Sequence, residues 1–81
     1  MQCTVLVFAQ LAEAIGADRV PVELPAGSTV AAALDALAAT HPPIARLRAV
    51  LAVAVNDCYC NTATTLNDGD TLALISPVSG G

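Results

Sequence analysis

The hydrophobic pattern divides the chain into segments of helical and of strand period. Apolar residues spaced three and four apart predict a helix over 30–40, which Ser28 or Thr29 caps and His41-Pro42-Pro43 ends. Two shorter helical turns are predicted, over 10–16 and 44–48. Alternating or continuous apolar segments rich in valine predict strands over 1–9, 19–24, 49–55, 59–63 and 71–76. This order predicts a mixed sheet with one main helix packed on one face, an α+β fold.

The first and last predicted strands carry apolar residues on both faces. Alternation sets one group toward the helix, namely Val5, Val7, Leu72 and Leu74. Phe8 and Ile75 then face outward. Outward side chains of this size indicate contact with a partner protein, although scattered apolar residues are also normal on protein surfaces.

Length and charge limit the classes of function. The 81 residues, 8.1 kDa, make one small domain with no room for a deep internal active site. The net charge is −4, lysine is absent, and the cations are Arg19, Arg46 and Arg48. Binding of nucleic acid or an anionic membrane needs more cations than these. The acidic balance instead favours a protein partner with a basic surface.

Neither a secretion signal nor a membrane segment is evident. The start, Met1-Gln2-Cys3-Thr4, lacks the basic segment of a signal peptide. The longest apolar run, 49–55, is far shorter than the roughly 20 residues that cross a membrane. We therefore expect a cytoplasmic protein with no membrane partner.

The side chains offer little catalytic chemistry. Cys3, Cys58 and Cys60 cannot all pair and the expected compartment is reducing, so we expect free thiols rather than disulfides. A zinc site needs four ligands, and only His41 could join the three cysteines. His41 itself follows a predicted helix with no candidate nucleophile nearby. We expect no metal, no tightly bound cofactor and no enzyme activity from this chain alone.

The C-terminal pair Gly80-Gly81 suggests a different kind of chemistry. Glycine lacks a Cβ atom, so these residues can pass through a channel too narrow for others. Pro77 keeps the start of this tail extended and non-helical. The terminal carboxylate becomes an acyl donor once it is adenylated, because AMP is a good leaving group.

Four segments carry a resemblance to a known family. Leu-Asn-Asp-Gly-Asp at 66–70 and Ser-Pro-Val-Ser-Gly-Gly at 76–81 resemble the C-terminal signature of the molybdopterin synthase small subunit, the MoaD type. Val-Phe-Ala-Gln-Leu at 7–11 resembles the first strand and turn of that family, and Ala-Val-Asn at 54–56 resembles its middle strand. The resemblance implies a β-grasp, ubiquitin-like domain over 1–76 and an extended tail over 77–81.

The same resemblance implies a sulfur-carrier role in molybdenum cofactor biosynthesis. An ATP-dependent enzyme would adenylate Gly81, and sulfur would replace AMP to form a thiocarboxylate. The large synthase subunit would hold the catalytic residues, in a heterotetramer with this chain, and sulfur would pass to cyclic pyranopterin monophosphate. The tail residues threaded into that subunit would be Pro77, Val78, Ser79 and Gly80. The partner interface would contain Phe8, Tyr59 and Ile75.

Three alternatives remain open. A ThiS-type carrier that supplies sulfur for thiamine thiazole would share the tail chemistry. A ubiquitin-like modifier would instead be joined to lysines of other proteins. A plain interaction domain would make no use of its terminal glycines.

Overall fold

The computed structural model describes residues 1–76. Within this range, five strands, three α-helices and one short 3-10 helix follow one another along the chain. They are β1 (Gln2–Val7), α1 (Ala9–Ile15), β2 (Arg19–Glu23), α2 (Val30–Thr40), α3 (Pro42–Leu47), the 3-10 helix (Arg48–Val50), β3 (Ala52–Val55), β4 (Cys58–Cys60) and β5 (Thr71–Ile75).

The strands form one mixed sheet in the order β2-β1-β5-β3-β4. The central pair, β1 and β5, is parallel, and the other pairs are antiparallel. The register sets Val5 beside Leu72 and Val7 beside Leu74. All four of these side chains are at most 1% exposed, so the predicted inward face is confirmed.

The main helix, α2, has the predicted bounds because both of its ends are set by local sequence. Thr29, rather than Ser28, is the N-cap, and its Oγ1 accepts a hydrogen bond from the Ala32 N–H at 3.3 Å. At the other end, the N–H of His41 donates to the Leu37 carbonyl at 2.7 Å. The next residue is a proline that begins α3, a position where its missing N–H costs nothing.

The helices cover the inner face of the sheet and share one core with it. Leu34 of α2, Leu11 of α1 and Ile44 of α3 are each at most 1% exposed and belong to the same buried cluster. This confirms the two-layer α+β arrangement, with α1 and α3 as smaller additions to the main helix.

The strand predicted over 49–55 is wrong in its first half. Residues Arg48–Val50 form the 3-10 helix, and β3 begins at Ala52. The sheet itself sets this limit, because Ala52 pairs with Ile75, the last residue of β5. A consequence is that the side chain of Val50 is 56% exposed instead of buried.

The edge strand is shorter than predicted. It covers Cys58–Cys60 instead of 59–63, because Asn61 turns the chain by accepting the Ala63 N–H at 2.9 Å. The turn that precedes it is a tight hairpin. Asn56 and Asp57 have φ of +50° and +70°, the conformation of a two-residue type I′ hairpin.

The first predicted strand, 1–9, also ends early. Phe8 is the N-cap of α1, and Ala9 already belongs to that helix. Phe8 keeps extended dihedral angles, φ −132° and ψ 159°, so it continues the alternation of β1. Ala9 has φ +49°, which costs a non-glycine residue roughly 1–2 kcal/mol and turns the chain sharply into the helix.

Candidate functional site

The sheet has an outer face, turned away from the helices, on which the strand registers align side chains in rows. One row crosses all five strands and is formed by Arg19, Leu6, Ala73, Ala54 and Tyr59. Alanine at the neighbouring positions on β5 and β3 keeps this part of the row shallow. Larger side chains lie on either side of it.

Phe8 and Ile75 lie side by side in the next row. The parallel register ends with Val7 beside Leu74, so the following residues of the two strands are also level with each other. Phe8 is 48% exposed and Ile75 is half-buried. The predicted outward direction is confirmed, although Ile75 is better covered than expected.

We call the apolar part of this face the apolar patch, formed by Leu6, Phe8, Ala73, Ile75 and Tyr59. Of the three predicted interface residues, the structure brings two together. Tyr59 is 76% exposed but lies two strands away from Ile75, roughly 10 Å at the usual strand spacing. The patch is therefore a broad, shallow surface, suited to another protein rather than to a small molecule.

Sequence reasoning left Leu6 out of the predicted interface. Leu6 lies on the same face as Phe8, and the period-two alternation that singled out Phe8 carried the same signal for Leu6. The exposure of Val50, which is outside the apolar patch, was missed because this residue belongs to a segment predicted as a buried strand.

The tail begins beside the apolar patch. β5 ends at Ile75, and Ser76 is the last described residue. The predicted threading residues Pro77, Val78, Ser79 and Gly80 and the predicted reacting group, Gly81, lie outside the described residues. Ser76, where the tail begins, directly follows Ile75 of the apolar patch.

The other half of the outer face is polar. Thr4, Arg19 and Thr71 line an open hollow of about 370 Å³, together with the Asn56-Asp57 turn and with Leu6 at the border of the apolar patch. The outer face is therefore divided, with its apolar part nearer the tail and its polar part nearer the far end of the sheet.

The Asn67–Asp70 turn ties that far end together. The Oδ1 of Asp68 accepts the Gln2 N–H at 2.8 Å, and the N–H of Gly69 donates to the Gln2 carbonyl at 2.8 Å. Gly69 has φ +85°, a conformation that favours glycine. The turn is thus joined to the start of β1 through both the N–H and the carbonyl of Gln2.

Asp70 joins this turn to the β3–β4 hairpin. Its carboxylate accepts the Asn67 N–H at 2.8 Å and the Asn56 Nδ2 amide at 2.9 Å. The Asn67 backbone N–H, and then the Asn56 side chain, lower the pKa of Asp70 below its ordinary value of 3.8. Both carboxylates are therefore explained by structural hydrogen bonds.

Replacing Asp70 is expected to weaken the domain in a pH-dependent way. Asp70→Asn sets an amide NH₂ against one of two donors and should lower the free energy of unfolding at pH 7 by about 1 kcal/mol, since solvent screens this charge. The folded-state pKa is depressed, so the contribution is full above 3.8 and is lost as pH falls through the folded value. Urea unfolding of both proteins at pH 7 and at pH 3 measures this.

The difference between the two proteins should be smaller at pH 3 than at pH 7. The matched control is Asp18→Asn, since the exposed Asp18 carboxylate makes no hydrogen bond within residues 1–76. Equal effects of the two substitutions at pH 7 would contradict the role given to Asp70.

The remaining candidates have structural roles. His41 ends one helix and precedes the next. Burial, and after it the charge of Asp70, raises the pKa of the Cys3 thiol, whereas Cys58 is exposed and Cys60 is half-buried. No group of three metal-binding side chains occurs in residues 1–76. No helix in that same range is both long and apolar enough to span a bilayer.

Comparison with known proteins identifies the family. The ThiS family model matches residues 5–81, nearly the whole chain. The chain belongs to the ThiS family. Two relatives, both named molybdopterin synthase sulfur carrier subunit, support this assignment. The protein of Arabidopsis thaliana is 32% identical over the whole chain and 84% of its own length, and that of Chlamydomonas reinhardtii is 34% identical over the full length of both.

Solved structures also match over the whole chain. SAMP1 from Haloferax volcanii, a small archaeal modifier protein, is 34% identical with a TM-score of 0.89, covering all of both chains. One chain of a complex between subunits 1 and 2 of molybdopterin-converting factor from Helicobacter pylori is 27% identical, with a TM-score of 0.72 and full coverage of both chains.

These matches also establish the fold. A Caldiarchaeum subterraneum ubiquitin matches with a TM-score of 0.66 at 18% identity, over 100% of this chain and 98% of that one. The five-stranded mixed sheet with α2 across one face is therefore the ubiquitin-like β-grasp that the resemblance implied.

Proposed function

We propose that this chain is the sulfur carrier subunit of a molybdopterin synthase. The observation that carries the proposal is the full-length match to two proteins of that name, which extends through the Gly80-Gly81 end. The folded domain positions the tail, and the reacting group is the carboxylate of Gly81.

The proposed chemistry has three steps. In the first, the Gly81 carboxylate attacks the α-phosphate of ATP on an activating enzyme, forming an acyl adenylate and releasing pyrophosphate. A sulfur nucleophile supplied by a partner then displaces AMP and leaves a thiocarboxylate. In the third step, the sulfur passes to cyclic pyranopterin monophosphate, and hydrolysis returns Gly81 to a carboxylate.

The proposal assigns the catalytic residues to the large subunit. The broad apolar patch beside Ser76 supports this division, because it offers a docking surface rather than a pocket. Phe8 and Ile75 would be covered by the large subunit while the tail Pro77–Gly80 enters its active site. The Helicobacter pylori complex of two converting-factor subunits supports a partner of this kind. A heterotetramer remains the expected assembly.

A second candidate is a protein modifier. The likeness to SAMP1 favours this candidate. SAMP1 is 34% identical to this chain with a TM-score of 0.89, and the Arabidopsis thaliana carrier subunit is 32% identical, so the two likenesses are about equally strong. In that case the adenylated Gly81 would form an isopeptide bond with a lysine of another protein. A carrier for thiamine thiazole would share the thiocarboxylate but not its acceptor.

Intact-mass spectrometry of the chain from its native cells tests the proposal. A mass gain equal to the exchange of one oxygen for sulfur, located at Gly81, is expected of a carrier. Heavier species joined through isopeptide bonds would support the modifier instead.

The acceptor of the sulfur separates the two kinds of carrier. The thiocarboxylated chain, mixed with a molybdopterin synthase large subunit and cyclic pyranopterin monophosphate, is expected to yield molybdopterin. A thiocarboxylated chain that yields none under these conditions would contradict the molybdopterin role and favour thiamine thiazole.

A further inference from the structure

Two of the three arginines line one hollow on the helix side of the molecule. Arg46 and Arg48 border an open space of about 530 Å³ together with Leu51 and Thr62. We call this space the arginine hollow. It lies between the end of α3, the start of β3 and the segment after β4, and it is separate from the apolar patch.

Arg48 is held in a fixed orientation at the edge of the arginine hollow. One guanidinium nitrogen pairs with the carboxylate of Asp35, and the other donates to the Ala31 carbonyl at 3.3 Å. Arg46 is exposed and forms neither an ion pair nor a hydrogen bond with any residue in 1–76. Since Asp35 neutralises Arg48, the uncompensated positive charge of the hollow belongs to Arg46.

The hollow lies at the end of the sheet from which the tail leaves. Ala52 pairs with Ile75, so Leu51 is level with Ser76. Phe8 lies on the opposite side of Ser76, directly after the end of β1, so the two surfaces are separated by roughly 10 Å of strand spacing. An interface of ordinary size, roughly 800 Å² on each partner, is large enough to include both the apolar patch and the arginine hollow.

The acidic charge is concentrated at the other end of the sheet. Four carboxylates lie there, namely Glu23, Asp57, Asp68 and Asp70, and they outnumber Arg19, which borders the same polar hollow as Asp57. The amino group of Met1, 3.7 Å from Glu23, offsets part of this charge. An acidic group on a partner is therefore repelled from the far end and attracted to the arginine hollow.

From this arrangement we propose that the arginine hollow receives a carboxylate side chain, Asp or Glu, of the subunit that accepts the tail. The inference rests on the proposed function and adds a second contact to it. Arg46 supplies the attraction, and the free N–H groups of Arg48 supply directed hydrogen bonds. The contact lies beside the tail rather than on the sheet, so it orients the carrier as it approaches.

Association kinetics with a molybdopterin synthase large subunit test the inference. Arg46→Gln is expected to lower the association rate constant about threefold, and Arg46→Glu about tenfold, at low ionic strength, because a charge near the rim of an interface acts mainly on association. At 0.5 M salt the difference from the unaltered chain should nearly vanish.

The matched control is Gln2→Glu. It changes the net charge by the same −1 as Arg46→Gln, but at the far end of the sheet, and Gln2 is exposed. Its association rate should stay within about twofold of the unaltered chain. Equal rates for all the variants, or equal losses for Arg46→Gln and Gln2→Glu, would overturn the inference and leave the proposed function intact. Failure of the unaltered chain to bind the large subunit would overturn both.

Discussion

Deletion of Gly81 is expected to abolish sulfur transfer and to leave the folded domain unchanged. The shortened tail would end at Gly80, and its carboxylate would lie about 3.5 Å short of the position reached by the full-length tail. A misplacement of even about 1 Å can lower a rate 100-fold, so we expect a loss of at least that size in molybdopterin formation. The measurement is the yield of molybdopterin from the purified large subunit and the charged carrier.

The fold should not respond to this deletion. The last core residue is Leu74, and the sheet ends at Ile75, so the free energy of unfolding should change by less than about 0.5 kcal/mol. Ser79→Ala keeps the length of the tail and its terminal glycines, and it is expected to retain most of the activity. Normal sulfur transfer by the deletion variant would show that the terminal carboxylate is not the reacting group.

The parts of the fold that were predicted well depend on nearby residues. The bounds of α2 follow from Thr29 before it and from the prolines after His41, all within a turn of the helix. The inward residues of β1 and β5 follow from alternation alone. These signals are local, so the bounds of α2 and the inward residues could be predicted without knowing which strands pair.

The parts that were predicted poorly depend on strand pairing. The segment 49–55 is apolar throughout, and composition does not distinguish its 3-10 turn from its strand. Only the pairing of Ala52 with Ile75 sets the start of β3. The same limit applied to the candidate site. Alternation predicted that Phe8 faces outward, but only the register shows Leu6 level with Ala73 and Tyr59 two strands from Ile75.

The positions of the charges in space could not be predicted from the sequence either, because they also depend on strand pairing. A net charge of −4 favoured a partner with a basic surface. In the folded chain, this excess lies at the turns around Asp57 and Asp70, away from the tail. A basic surface that attracts the carrier at long range therefore does not need to lie at the docking site itself, where Arg46 favours an acidic group.

A charge placed in the apolar patch is expected to disrupt docking more strongly than any other single change in the folded domain. Phe8→Asp should raise the dissociation constant for the large subunit about 100-fold or more, since docking on this patch would bury an unpaired carboxylate in place of an aromatic side chain. Ile75→Asp should act in the same direction. Titration calorimetry or surface plasmon resonance with the purified large subunit gives the constants.

Stability must be measured beside binding, because the two positions differ in exposure. Phe8 is 48% exposed, so an aspartate there is tolerated by the isolated domain, whereas Ile75 is half-buried and its variant requires an unfolding measurement. The matched control is Ala36→Asp, which adds the same charge at an exposed position of α2, on the side away from the outer face. If Phe8→Asp binds as tightly as Ala36→Asp, the large subunit docks elsewhere, and the strained turn at Ala9 that presents Phe8 needs a different explanation.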